Sequence, residues 1–311
     1  MEVAGPVSLW ENVRRAIGIT TAEQVATGLV EGRQLLGSLR VYQEAGEDPL
    51  LSMPPAGIAK RFAEEVRAVA GGQPIDAVGI GLPGLIRDGF VEESPNLRQL
   101  KGAHFRNLVS EALREAGMKT PVYVYNDADM VAAGLAATRD QLDRIIRVWT
   151  LGHGIGFGIY PNREGVWEGG HMVVSMDPRE RFCGCGGVGP LEGIMGQRAM
   201  RLRFLDMEPD EVFENAQRGD QRCVEFVKLW HRALAAATSN SIHLSGPGKF
   251  YITGFNAKHL DLNLLDRYMH EMVKMSPLQS SVYEVVPGSD EIGVIGAAVS
   301  SLHTAFQVAG V

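Results

Sequence analysis

Residues 168–192 read EGGHMVVSMDPRERFCGCGGVGPLE. Glu168 and Glu192 bracket the run, His171 lies near its start, and Cys183 and Cys185 lie near its end. The glycines and Pro178 are helix-breaking, so the stretch reads as a loop that gathers polar groups in one place. Separated carboxylates with a histidine form a set of hydrogen-bond partners suited to a polyhydroxylated ligand. His171, Cys183 and Cys185 are also potential metal ligands. Structural zinc takes four ligands, and the stretch offers three. A single Cys-x-Cys pair is a weaker metal signal than paired Cys-x-x-Cys units.

On the N-terminal side of this loop, RIIRVWTLG leads through a glycine turn into FGIYPN, a strand pair. An earlier strand run precedes it: AIGIT (Ala16–Thr20), QVATGLV (Gln24–Val30) and GSLRVY (Gly37–Tyr42) form a meander. Ile58, Phe62, Val66 and Val69 recur at helical spacing. IDAVGIGLPG reads as a buried strand ending in a glycine turn, FRNLVSEALREAG as an amphipathic helix closed by Gly117, and PVYVYND as a strand with Asn126 and Asp127 at its exit. MVAAGLAA is rich in small residues and helical. C-terminal to the loop, the pattern is mostly helical from Leu191 to Ser241. KFYITGF, a helix over LNLLDRYMHEMVKM, the strand SVYEVV and the apolar helix EIGVIGAAVSSLHTAFQ follow. Meander then helices, twice over, indicates an architectural duplication rather than a short repeat.

The chain has 311 residues, enough for two domains. Hydrophobic residues make up 45% and charged residues 22%, the proportions of an ordinary globular protein. The net charge of −7 and the lack of a long basic run speak against a nucleic-acid partner. No apolar run approaches the roughly 20 residues of a membrane span, and the N-terminus has no signal-like apolar region. Three cysteines do not make a disulfide framework, so a reducing cytoplasm is expected.

Two further motifs carry alternatives. Gly79-Ile80-Gly81-Leu82-Pro83-Gly84 matches the dinucleotide pattern GxGxxG, but that site needs a helix to open at the loop. Residues 85–91 read instead as a strand and a tight turn, which favours a plain glycine turn or one lining a ligand cleft. Asn126-Asp127 lies where a strand exits into a helix, the usual place for active-site groups in open α/β sheets. A helix N-cap is the alternative there, and Asp129 is a second candidate for that cap. Trp167 is expected to pack rather than to stack on a ligand.

GIGLPG, NLRQLKG, NDAD, LGHGIGFGI, EGGH, CGCGGVGPLE and EIGVIGAA occur in the order and spacing of the ROK family, and the chain resembles its glucokinase-like sugar kinases over residues 16–298. The resemblance implies an α/β fold of two actin-like (ribonuclease H-like) domains around a central cleft. Residues 1–125 with 292–311 would form the N-terminal domain, and residues 126–291 the C-terminal domain with the sugar-binding and remnant zinc loop. It also implies Asp127 as the base that takes a proton from a sugar hydroxyl, and Asn96, Asn126, Glu168, His171 and Glu192 as sugar-binding residues. Gly152, Gly154, Gly156 and Gly254 would serve the nucleotide, ATP with Mg²⁺. His171, Cys183 and Cys185 would belong to a Zn²⁺ site. The expected partner is a small-molecule sugar, with neither nucleic acid nor membrane, and the expected assembly a homodimer. A repressor of the family carries a DNA-binding module ahead of the sugar domain, and only about 15 residues precede the first strand here.

The chain departs from the family's pattern on the nucleotide side. Where family kinases carry DxGGT, it has Thr20-Thr21-Ala22-Glu23-Gln24. The GTGxGGG-like segment is Gly152-His153-Gly154-Ile155-Gly156-Phe157-Gly158, and Gly254-Phe255 stands in place of a glycine pair. The metal loop pattern CxCGxxGC ends on Pro190 instead of cysteine. The expected activity is ATP-dependent phosphorylation of a hexose or N-acetylhexosamine hydroxyl. The alternative is a non-catalytic sugar-binding pseudokinase, a sensor or partner subunit that has lost its phosphate turn.

Overall fold

The computed structural model describes residues 14–21, 24–42, 50–142, 144–161 and 167–309. The residues ahead of the first strand up to residue 13, and Glu23 of the first turn, lie outside them. By compactness the chain divides into two units, one of Met1–Ile146, Gly158–Val166 and Gly288–Val311, the other of Arg147–Phe157 and Trp167–Pro287.

The first unit begins with the expected meander of β1 (Arg15–Thr20), β2 (Val25–Glu31) and β3 (Gln34–Tyr42). It continues through α1 (Pro55–Ala70), β4 (Ala77–Leu82), the small hairpin of β5 (Leu85–Arg87) and β6 (Phe90–Glu93), and α2 (Phe105–Glu115). β7 (Val122–Asn126), α3 (Asp127–Thr138) and the C-terminal helix α9 (Ser289–Ala309) complete it. The sheet order is β3-β2-β1-β4-β7, with β1 and β2 antiparallel and β1, β4 and β7 parallel.

Alternation along β1 and β4 sorts the side chains by size. Ile17, Ile19, Val78, Ile80 and Leu82 face α1 and α2, where they pack with Phe62, Val66, Phe105 and Val109. Ala16 and Ala77 face the other way, toward Val294, Ile295 and Ala298 of α9. Burial on both faces explains why these strands read as continuous apolar runs.

On the α9 side the packing is closer than side chains permit. Gly18 and Gly79 are partners across β1 and β4. A Cβ on Gly18 would lie 1.9 Å from the Val294 carbonyl oxygen, and one on Gly79 would lie 1.9 Å from that of Ala297. The crossing of α9 with α3 is equally tight: a Cβ on Gly296 would lie 1.8 Å from the Met130 carbonyl oxygen. Gly79 of the GxGxxG match therefore serves helix-on-sheet packing. The segment after Gly84 forms the β5–β6 hairpin, turning at Asp88 and Gly89 with positive φ, and no helix opens there.

The second unit contains β8 (Ile146–Leu151), which starts at the division, and β9 (Ile155–Tyr160), within which the division falls. The helices α4 (Glu192–Met195), α5 (Gln197–Arg203), α6 (Pro209–Gln217) and α7 (Gln221–Ser245) follow. β10 (Lys249–Thr253), α8 (Leu262–Met272) and β11 (Val282–Val285) close the unit. The sheet order is β11-β10-β8-β9, with β8, β10 and β11 parallel. Arg147 at the start of β8 donates to the carbonyls of Ser245 and Gly246, satisfying acceptors that the end of α7 leaves open. The buried Trp149 indole donates to Thr238 in the same helix at 3.1 Å.

Gly79→Ala and Gly18→Ala are expected to cost about 3 kcal/mol or more each, because a carbonyl of α9 blocks the new methyl. Gly57→Ala, in α1 with its nearest neighbour at 3.3 Å, is expected to change stability by less than about 1 kcal/mol. Denaturant midpoints of the three variants against the parent check both expectations.

Candidate functional site

In the first unit, β7 ends at Asn126 and α3 begins at Asp127. The Asn126 side-chain oxygen accepts from the amides of Ala128 and Asp129, at 2.9 and 3.2 Å, so Asn126 is the N-cap of α3. Its amide nitrogen donates to the Gly84 carbonyl at 3.0 Å, tying the cap to the glycine turn after β4. Asp129, the other candidate for the cap, does different work: its carboxylate, 8% exposed, accepts the Ile159 amide at 2.9 Å. The pattern Asn-Asp-Ala-Asp allowed either residue to cap, and β-region backbone at Asn126 decides it.

Asp127 is left with its own role. It is partly buried, and its Oδ1 accepts the Ala128 amide at 2.8 Å. Burial pushes its carboxyl up to about 6, against the opposing pull of backbone amides at the helix start. The group therefore titrates close to neutrality, as a proton acceptor needs to. Nearby, Ser94 donates to the Pro83 carbonyl at 2.7 Å and holds the turn after β4 against the chain that leads into Asn96. Asn96 itself is exposed.

In the second unit, the loop of residues 168–192 doubles back on itself. The amides of Val174 and Ser175 donate to the Gly189 carbonyl, and that of Leu191 to the Met172 carbonyl. Gly189, at φ +71°, cannot carry a side chain: its Cβ would lie 1.8 Å from the Ser175 carbonyl oxygen. Buried Glu180 pairs with Arg203 of α5, whose guanidinium also lies over the Phe182 ring at 4.4 Å, and this fastens the loop's middle. This anchor has no signature in the sequence, because its partners lie 23 residues apart in an unpatterned stretch. Apart from one 3-10 turn at Gly169–His171, the loop is non-helical, as its glycines require. Glu168, partly buried, starts that turn, and its carbonyl accepts the His171 amide at 3.0 Å.

The doubling brings His171, Cys183 and Cys185 together, with their ligand atoms all within 4.8 Å of one another. His171 Nδ1 lies 3.5 Å from the Cys183 sulfur, and Glu192 Oε1 lies 3.5 Å from the same sulfur. Burial chiefly pushes the Cys183 thiol up to about 12, against the pull of the Cys185 backbone amide and with a smaller push from the Glu192 carboxylate. Imidazole nitrogen and two sulfurs suit zinc by donor type and by spacing.

Glu192 also reaches the glycine turn between β8 and β9. Its Oε2 accepts the Ile155 amide at 3.0 Å and lies 2.5 Å from where a Cβ on Gly154 would be. Asn256 donates to the Gly152 carbonyl at 3.1 Å, and Gly254 abuts the end of β8, so Gly152, Gly154 and Gly254 share one neighbourhood. Gly156 lies within β9. The rings of His153 and Phe255 meet edge to face at 5.1 Å over this turn, and Phe157 packs on Trp149 at 4.3 Å.

The chain is 29% identical to the glucokinase of Thermotoga maritima over 294 residues, which cover 83% of this chain and 89% of that protein. It is 29% identical to the glucokinase of Pyrobaculum calidifontis over 256 residues, 76% of this chain and 82% of the relative. In structure it matches the ROK hexokinase of Thermus thermophilus with a TM-score of 0.73 at 22% identity, covering 94% of this chain and 99% of the other. It also matches a ROK family glucokinase of Streptomyces griseus, solved with glucose and AMPPNP, with a TM-score of 0.67 at 21% identity, covering 93% and 99%. The fold is thus the actin-like kinase fold, with two sheets in mixed α/β order. The ROK family profile matches residues 56–303, well over half of the chain, and the protein belongs to the ROK family.

Proposed function

We propose that the protein phosphorylates a hydroxyl of a hexose or N-acetylhexosamine with ATP, Asp127 acting as the base. The observation that carries this reading is the Asp127 carboxyl, held at the junction of β7 and α3 with a pKa of about 6. A base there takes the proton from the sugar hydroxyl as its oxygen attacks the terminal phosphorus and ADP leaves. Asn96, Asn126, Glu168, His171 and Glu192 are assigned to the sugar; carboxylates accept strongly from hydroxyls. Gly152, Gly154, Gly156 and Gly254 are assigned to the nucleotide. Mg²⁺ is assigned to the triphosphate, whose oxygens suit a hard cation, and it would offset charge in the transfer. Zinc, held by His171, Cys183 and Cys185, would brace the loop that carries Glu168 and Glu192. Free thiols at all three cysteines suit a cytoplasmic setting, and the family likeness suits a homodimer.

One observation favours a second reading. The aromatic contact of His153 with Phe255 lies at the turn assigned to the nucleotide, where family kinases carry small or hydroxyl-bearing residues. A chain that binds sugar without phosphorylating it would tolerate that contact.

A coupled ADP-release assay over a panel of hexoses and N-acetylhexosamines tests the kinase. Sugar-dependent turnover is expected, with Asp127→Asn lowering kcat by about 10²–10⁴ and kcat/KM of the parent falling as pH drops through about 6. Calorimetry that finds sugar binding and no Mg-ATP binding would establish the second reading instead.

Stability gives an independent check on the same carboxyl. Its folded pKa of about 6 lies above the ordinary value of 3.8, so the folded state binds more protons between those limits. Stability is therefore lost as pH rises through that window. Asp127→Asn is expected to be more stable than the parent at pH 7.5 by about 1–2 kcal/mol, allowing for partial solvent access. The difference should vanish in urea titrations below about pH 4.

A further inference from the structure

We infer that Asn256 is a positioning residue: it clamps the β8–β9 turn and thereby fixes the phosphoryl-donor site, a role that rests on the kinase reading of that turn. Asn256 is 1% exposed and belongs to the 3-10 segment Phe255–His259 that follows β10. Strand register brings it to the turn. Thr253 at the end of β10 pairs with Thr150 of β8. Gly254, at φ +95°, then passes so close to Leu151 that a Cβ there would lie 2.4 Å from its carbonyl oxygen. Two residues on, a side chain as short as asparagine reaches the Gly152 carbonyl, at 3.1 Å. A carbonyl only accepts, so the Asn256 nitrogen faces Gly152 and its oxygen is left for the Gln197 amide of α5, at 3.4 Å.

The clamp matters because of what the turn must present. Amides attract a phosphate and carbonyl oxygens repel it, so a donor-binding turn needs its carbonyls held elsewhere. Asn256 takes the Gly152 carbonyl, and the Gly154 carbonyl accepts the Gly152 amide at 3.0 Å. Glu192 holds the other limb through the Ile155 amide. Each limb thus has its own anchor, Asn256 at residue 152 and Glu192 at residue 155. Neighbouring charge does not compete for the Asn256 amide: Lys258 and His259 on the same segment both pair with Asp210. The Phe255 ring leans on the same turn, 3.5 Å from where a Cβ on Gly152 would be, but it offers no hydrogen bond and leaves the carbonyl's direction to Asn256.

The test is Asn256→Asp, which keeps the shape and replaces the donating nitrogen with an oxygen that the Gly152 carbonyl repels. At about pH 8 the KM for Mg-ATP is expected to rise about tenfold, the order of effect of leaving one partner of a buried hydrogen bond unmet, while the KM for the sugar that supports turnover stays within about twofold. Gln197→Met, which removes only the backing bond, is expected to move the ATP KM the same way by about two- to threefold. Backbone hydrogen exchange without ligands gives a readout that needs no turnover: residues 152–155 are expected to exchange about tenfold faster in Asn256→Asp, with α7 unchanged. An unchanged ATP KM, a matching rise in the sugar KM, or exchange at the turn that does not respond would each overturn the inference. A parent with no sugar-dependent turnover would remove the kinase reading alone, and the exchange at the turn would still decide whether Asn256 clamps it. Should Asn256→Asp not fold, Gln197→Met carries both measurements.

Discussion

The direct seating of α9 on the glycines of β1 and β4 is the constraint from which the first unit is built. Gly18 and Gly79 stand opposite each other in register, and the carbonyls of Val294 and Ala297 occupy the space where their side chains would be. With α9 fixed on the sheet, the α3–α9 crossing at Gly296 fixes α3. α3 begins at Asp127, so the carboxyl's position follows from backbone packing rather than from flexible side chains. Asn126 completes the placement by capping the helix and holding the turn at Gly84.

The second unit solves a different problem, how to gather polar groups without regular structure. Its loop folds back through its own amide–carbonyl bonds, and the buried Glu180–Arg203 pair fastens the middle. Glu192 then joins two features that the sequence presents separately. One carboxylate oxygen serves the β8–β9 turn and the other faces the Cys183 sulfur. A change in either feature is felt by the same side chain.

Much of the fold was legible because its determinants are local. Short apolar strand runs, the helix-breaking glycines of residues 168–192 and the strand exit at Asn126 all act over a few residues. The meaning of Gly79 was not legible. A glycine in a GxGxxG match reads the same whether it approaches a phosphate or a helix, and only the distant α9 distinguishes the two. The role of Asp129, left open between capping and another task, was not legible for a similar reason. Its partner is the Ile159 amide, and nothing within the motif signals that a strand 30 residues on will lie there. The gathering of His171, Cys183 and Cys185 was anticipated from the glycine-broken loop that carries them, whereas the bonds that gather them run through Gly189 and Met172.

The amide–carbonyl bonds that fold the loop also determine what an ion would contribute there. In small metal-dependent domains the ligands converge only when the metal binds, so binding energy is folding energy. Here Val174, Ser175, Gly189 and Leu191 close the loop with main-chain bonds that involve none of the three donors' side chains. The loop's course is carried by its own main chain, so replacing any one donor side chain would leave each of those closing bonds in place.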